Sequence, residues 1–141
     1  ICKACTWRNF FRIILPHTRH TLKKDERLNS KKIMEQLFGE GRHASAAPLK
    51  IIWLQAPLEL SFPASAMFVV PKRNFKKAHD RNKLKRRMKE AYRLNKPAFY
   101  AKLAEQKTQL VLAILYTGRK PESYNTIENA CKKLMTACLR P

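Results

Sequence analysis

The segment from Pro71 to Arg93, PKRNFKKAHDRNKLKRRMKEAYR, sets eleven Lys and Arg against only Asp80 and Glu90. Within it Leu84, Met88, Ala91 and Tyr92 recur at the i, i+4, i+7, i+8 spacing of a buried stripe, which predicts a helix from about Lys77 to Asn95. The other face is cationic. Arg81, Lys85 and Lys89 lie one turn apart, and Arg86 and Arg93 carry the charge onto neighbouring rows. Like charges at this spacing repel on an isolated helix, and an ordinary solvated face mixes both signs. A polyanion relieves the repulsion. Phosphates offer charge-assisted contacts and counterion release, and the guanidinium fork matches two phosphate oxygens or a base edge.

The whole chain is biased the same way. Its 141 residues carry a formal net charge of +20, yet 45% are hydrophobic, so one small domain with a core is expected. Charge of this size favours association with nucleic acid or an anionic surface. Residues 1 to 20 hold a short apolar cluster, Trp7, Phe10, Phe11, Ile13, Ile14 and Leu15, interrupted by Arg8, Asn9 and Arg12. It is far shorter than the roughly 20 residues that span a bilayer, and no small-residue cleavage site follows it. It reads as a poorly ordered extension before a domain at 21–141, and the expected setting is cytoplasmic, with no membrane partner.

Ser30 is placed as the N-cap of a first helix that presents Ile33, Met34, Leu37 and Phe38 to a core and stops at Gly39 and Gly41. Leu49 to Leu54 and Ala66 to Val70 read as strands. After the basic helix, Pro97 is expected to break or restart helical structure. Gln109 to Tyr116 (QLVLAILY) reads as a buried central strand. Asn125 with Glu128 suggests a capping box, opening a last helix with Ile127, Cys131, Leu134 and Cys138 on one face. The order α-β-β-α-β-α argues an α+β sandwich of helices on a small sheet.

Little chemistry is visible for the protein alone. Gly39, Gly41 and Gly118 are the only glycines, so no phosphate-cradling loop or nucleophile elbow can be drawn. The ten acidic residues are scattered, without the tight cluster of a two-metal nuclease. His17, His20 and His43 fall in expected loops and read as polar surface. A single CxxC, Cys2 and Cys5, is weak evidence for zinc, and Cys131 and Cys138 read as free thiols in the core. No catalytic residue, protein-held metal or small-molecule substrate is expected.

Arg81-Asn82-Lys83-Leu84-Lys85-Arg86, followed by Arg87-Met88-Lys89-Glu90-Ala91-Tyr92-Arg93, resembles the "RNR" signature helix of the bacterial ribonuclease P protein component. Phe68-Val69-Val70-Pro71-Lys72-Arg73 resembles the strand and basic turn that enter that helix. Leu22 to Leu28 resembles the family's opening segment, and Leu37-Phe38 with Gly41 the end of its first helix. The resemblance covers about residues 20 to 139. It implies αβββαβα topology, with the RNR helix in a left-handed βαβ crossover that the general handedness rule disfavours. One strand more than the apolar runs mark is therefore expected, with Pro57 to Phe62 as its place.

The resemblance further implies an auxiliary subunit of a ribonucleoprotein endonuclease. In the family the RNA subunit uses magnesium ions to remove the 5′ leader of precursor tRNA. The protein binds that RNA and holds the single-stranded leader in a cleft between the first helix and the sheet. By position, RNA binding falls to Arg81, Asn82, Lys83, Lys85, Arg86 and Lys89, with Lys72, Arg73, Lys76 and Lys77 as the basic approach. The leader cleft maps onto Met34 and Phe38, where the family carries an aromatic pair, with Trp53 as a further candidate. Aromatic stacking contributes on the order of 1 to 3 kcal/mol per base, and Met34 cannot stack as a ring does. Pro71 replaces a usual serine, the usual glycine after the basic pair is missing, and His79 stands where a small aliphatic residue is common. The alternative on charge, size and fold class is a ribosomal or other structural RNA-binding protein. A DNA-binding module is disfavoured because neither a dimerisation heptad nor a helix-turn-helix pairing is present.

Overall fold

The computed structural model describes residues 22–56, 60 and 62–140. The expected extension at residues 1 to 20, with Cys2, Cys5, His17 and His20, lies outside the described residues. A short 3-10 turn, Lys24–Glu26, leads to helix α1 (Lys31–Glu40) and then strands β1 (Arg42–Ala46), β2 (Leu49–Gln55) and β3 (Ala64–Val69). Helix α2 (Ala78–Gln106), strand β4 (Leu110–Tyr116) and helix α3 (Tyr124–Cys138) complete the chain. The sheet order is β1-β2-β4-β3, antiparallel except for the parallel pair β3 and β4, which α2 connects. This is the αβββαβα order and the α+β class expected.

Alternation along the strands divides the core in two. Leu49, Ile51, Ala66, Leu112 and Ile114 face α2 and α3 and pack with Leu84, Met88, Tyr92, Ile127 and Leu134. Val111 and Ala113 face the other way and pack with Leu28 and Leu37, so among the described helices only α1 lies on the second face, together with the segment at Leu28. Strand β4 is buried almost throughout because both of its faces are covered, which is why it reads as an unbroken apolar run. Gly41 closes α1 where a Cβ would fall 2.6 Å from Ile52 Cγ2 and closer still to the Leu37 carbonyl oxygen. Only a residue without a side chain lets the helix end approach β2 this closely.

Three expectations are corrected. The additional strand is Arg42–Ala46, not a strand within Pro57 to Phe62, where Leu60 and Phe62 are not in a strand and 57–59 and 61 lie outside the described residues. RHASA is a polar edge strand that buries only the small Ala44 and Ala46 partly, so it gives no apolar run to read. Pro97 does not interrupt α2, which runs unbroken for 29 residues from Ala78 to Gln106. The helix beyond it is held by buried Phe99, Tyr100 and Leu103, and this packing outweighs the lost donor. The cap of α3 is Ser123, whose hydroxyl lies 2.9 Å from that of Thr126, in place of an Asn125 and Glu128 box. Glu128 instead pairs with Lys132 at 3.1 Å.

Candidate nucleic-acid interface

Because β3 and β4 run parallel, their C-terminal ends lie at one end of the sheet, where the 70–77 and 117–123 loops begin. The β1–β2 turn joins them, with Thr117 N–H donating to the Pro48 carbonyl at 2.8 Å. Phe75 anchors the first loop, buried edge-on to Tyr116 with ring centroids 5.6 Å apart. Asn74 Nδ2 donates to the Gly118 carbonyl at 3.3 Å, tying the two loops together. Lys72, Arg73, Lys76 and Lys77 surround this anchor and are all exposed, as are Arg119 and Lys120 across from them. Among the described residues only Lys107 has a positive φ, so the 71–77 loop adopts no conformation that would require the missing glycine.

The same loop delivers the N-terminus of α2, whose dipole adds positive potential at that end. Leu84, Met88, Ala91 and Tyr92 are buried as their spacing predicts. Asn82, Lys83 and Arg86 face outward and line a shallow depression with His79 and Arg87. His79 is exposed, its Nδ1 3.5 Å from Asp80 Oδ1, and so does not pack on the sheet.

Two arginines of this helix act as braces. Arg81 Nη1 donates to the Phe75 carbonyl at 2.8 Å and to the Lys76 carbonyl at 2.7 Å, clamping the entering loop. Arg87 Nη1 donates to the Glu122 carbonyl at 2.6 Å and ties α2 to the loop before α3. The acceptors are backbone carbonyls, which no side-chain letter reveals. Lys85 and Lys89 occupy a third row, towards the β3 edge. Burial holds the Lys89 amine below its ordinary value, and the positive charges of Arg27 and Lys85 lower it further.

The leader-cleft candidates do not converge. Met34 is half-buried on α1, against the group containing Leu37, Val111 and Ala113, and Phe38 one turn later is 50% exposed. Ile52, Met67 and Leu115 are half-buried on the same side, leaving apolar surface beside α1. Trp53, however, is carried by strand alternation to the opposite face, where it packs with the α2–α3 core. There it lines a separate cavity of about 650 Å³ with Arg42, Gln106 and Arg140. Trp53 therefore leaves the group formed by Met34 and Phe38. Among the described residues no three His, Cys, Asp or Glu side chains gather in a metal-binding arrangement.

Comparison with known proteins gives a consistent result. A family model described as Ribonuclease P matches residues 22–139. The ribonuclease P protein component of Porphyromonas gingivalis is 30% identical over 112 residues, covering 79% of this chain and 82% of that one. That of Chlorobaculum tepidum is 33% identical over 107 residues, covering 71% and 70%. Among solved structures, the RNase P protein of Staphylococcus aureus superposes with a TM-score of 0.66 at 14% identity, covering 82% of this chain and 96% of that one. The Thermotoga maritima protein gives 0.63 at 18% identity, covering 79% and 96%.

Proposed function

The chain belongs to the ribonuclease P protein family, and from that premise we propose that it is the auxiliary subunit of a ribonucleoprotein that removes the 5′ leader of precursor tRNA. The observation that carries this reading is the outward row Asn82, Lys83 and Arg86 at the head of α2, contiguous with a basic sheet end and, among the described residues, without a carboxylate pair on any of the three. Such a row meets RNA phosphates through charge-assisted contacts, and Asn82 adds a group that both donates and accepts. Its partner is the catalytic RNA.

The partly covered sheet face beside α1, with Met34 and Phe38, is the proposed seat of the single-stranded leader. Phe38 offers a ring face for one base, and Met34, Ile52 and Met67 offer dispersion contacts. Among the described residues no three His, Cys, Asp or Glu side chains gather around a magnesium site, and the ions that the reaction needs are assigned mainly to the RNA. Cleavage is expected from the RNA, and the setting proposed is the cytoplasm. Among the described residues no helix is long and apolar enough to cross a membrane.

The test is cleavage of labelled precursor tRNA at low magnesium by a bacterial ribonuclease P RNA, with wild-type protein, with Arg86→Ala, and with protein alone. Correct 5′ processing that needs both RNA and protein, and weakens about tenfold in the variant, is the expected result. Absence of stimulation together with tight binding to ribosomal RNA or duplex DNA would overturn the reading.

A further inference from the structure

The segment before α1 is fixed across the edge of the sheet by a buried ion pair. Glu26 is 2% exposed, and Lys96 Nζ, 70 positions later on α2, lies 2.9 and 3.1 Å from its carboxylate oxygens. The Tyr100 hydroxyl stands 3.2 Å from Glu26 Oε1, and the Lys23 N–H donates to Oε2 at 2.8 Å. Immediately after this anchor, Arg27 forms a parallel bridge with Ala66, and the Leu28 N–H donates to the Ala66 carbonyl at 3.0 Å. Residues 27 and 28 thus run along the outer edge of β3. Bridged partners share a face, and Ala66 faces α2, so Arg27 is directed to the side of the sheet where Lys85 and Lys89 lie.

Leu28 and the Ala66 bridge fix the backbone here, but among the described residues no ion pair offsets the charge that the Arg27 side chain brings. Arg27 is exposed, and among the described residues no carboxylate pairs with it, Lys85 or Lys89. The neighbouring Glu26 is committed to Lys96. The Lys89 amine is already disfavoured as a cation by burial and by the two neighbouring charges. A buried pair has been used to hold a third cation where two already repel.

We propose that Arg27, Lys85 and Lys89 form a phosphate-binding site across the β3 edge, built by the Glu26–Lys96 anchor and occupied by a backbone phosphate of the RNA partner. This rests on the RNA-binding reading and deepens it. The site is separate from the Asn82, Lys83 and Arg86 row, so one strand can be held on two sides of α2. Arg27 contributes from the chain's opening segment, outside the signature helix. Glu26 and Lys96 are positioning residues that act through it.

A bound phosphate contributes its counterions to the salt dependence of affinity, about 0.9 per contact on duplex and about 0.7 on single strands. Binding of labelled ribonuclease P RNA is therefore measured from low to moderate salt for wild type, Arg27→Ala, Arg27→Lys and Arg86→Ala, with thermal unfolding of each free protein. Expected for Arg27→Ala is about tenfold weaker binding, a salt slope reduced by about one ion, and an unfolding temperature equal to or above wild type. Arg27→Lys should retain most of the slope. Wild-type affinity and slope in Arg27→Ala, with Arg86→Ala impaired, would overturn this site and leave the function standing. A fall in unfolding temperature that accounts for the lost binding would also overturn it. If wild type itself does not bind, the functional reading fails first.

Discussion

At the scale of single residues, identical letters in the basic helix serve opposite ends. Arg81 is spent on the Phe75 and Lys76 carbonyls, whereas Arg86 faces outward on the exposed row. A hydrogen bond from a charged donor contributes about 1.5 to 3 kcal/mol, so Arg81→Ala should destabilise the free protein by about 1 to 3 kcal/mol. Arg86→Ala should stay within about 0.5 kcal/mol of wild type, because it removes an exposed charge from a repelling row. Urea unfolding of both variants decides the matter; equal stabilities would show that the Arg81 clamp is not formed in solution. RNA binding should fall in both, through loop order in Arg81→Ala and through direct contact in Arg86→Ala. The motif reading treated the two residues alike because it counts charges, and a charge gives no indication of whether a carbonyl lies within reach.

At the scale of elements, what could be read was whatever periodicity alone determines. The stripe of Leu84, Met88, Ala91 and Tyr92, the run from Leu110 to Ile114 with Tyr116, and the face of Ile127, Cys131, Leu134 and Cys138 are buried as their spacing requires. Burial raises the Cys131 and Cys138 thiols to about 12, which suits core residues and not reactive ones. Strand β1 was not readable because its edge position asks for no apolar alternation. The anchor between Glu26 and Lys96 was not readable because it joins residues 70 positions apart. Trp53, a candidate for the leader cleft, lies on the α2–α3 side and not with Met34, because a strand's two faces become distinguishable only when its neighbours are known. Pro97 reads as a break on propensity alone, whereas the buried Phe99, Tyr100 and Leu103 beyond it hold the helix together. A proline inside a helix still removes the hydrogen bond to residue 93 and costs up to about 3 kcal/mol relative to alanine. Pro97→Ala should stabilise the protein by about 1 to 3 kcal/mol, measured by thermal or urea unfolding with the α-helical signal unchanged. A loss of stability would mean that the half-buried ring packs better than the restored bond.

At the scale of the whole molecule, the fold is assembled against its own charge. Thirty Lys and Arg face ten Asp and Glu, so an excess of twenty positive charges has no compensating carboxylate charge within the chain, however the pairs are arranged. Repulsion between exposed charges is screened over about 10 Å at 0.1 M salt and about 3 Å at 1 M, whereas the buried Glu26–Lys96 pair is screened far less. Salt should therefore remove more repulsion than attraction. The unfolding temperature of the free protein should rise between about 0.05 and 0.5 M sodium chloride, while affinity for RNA falls over the same range, since counterion release weakens as salt increases. Bound RNA should raise the unfolding temperature most at low salt, where it replaces missing counterions and binds most tightly. Calorimetry of the free protein and of the complex across that range tests all three trends. A free protein that loses stability with salt would show that attractive pairs dominate its surface, and the account of the basic rows as unrelieved repulsion awaiting phosphate would have to be abandoned. If stability rises with salt while the gain from RNA shrinks, the same charges that weaken the isolated fold are the ones that the RNA neutralises.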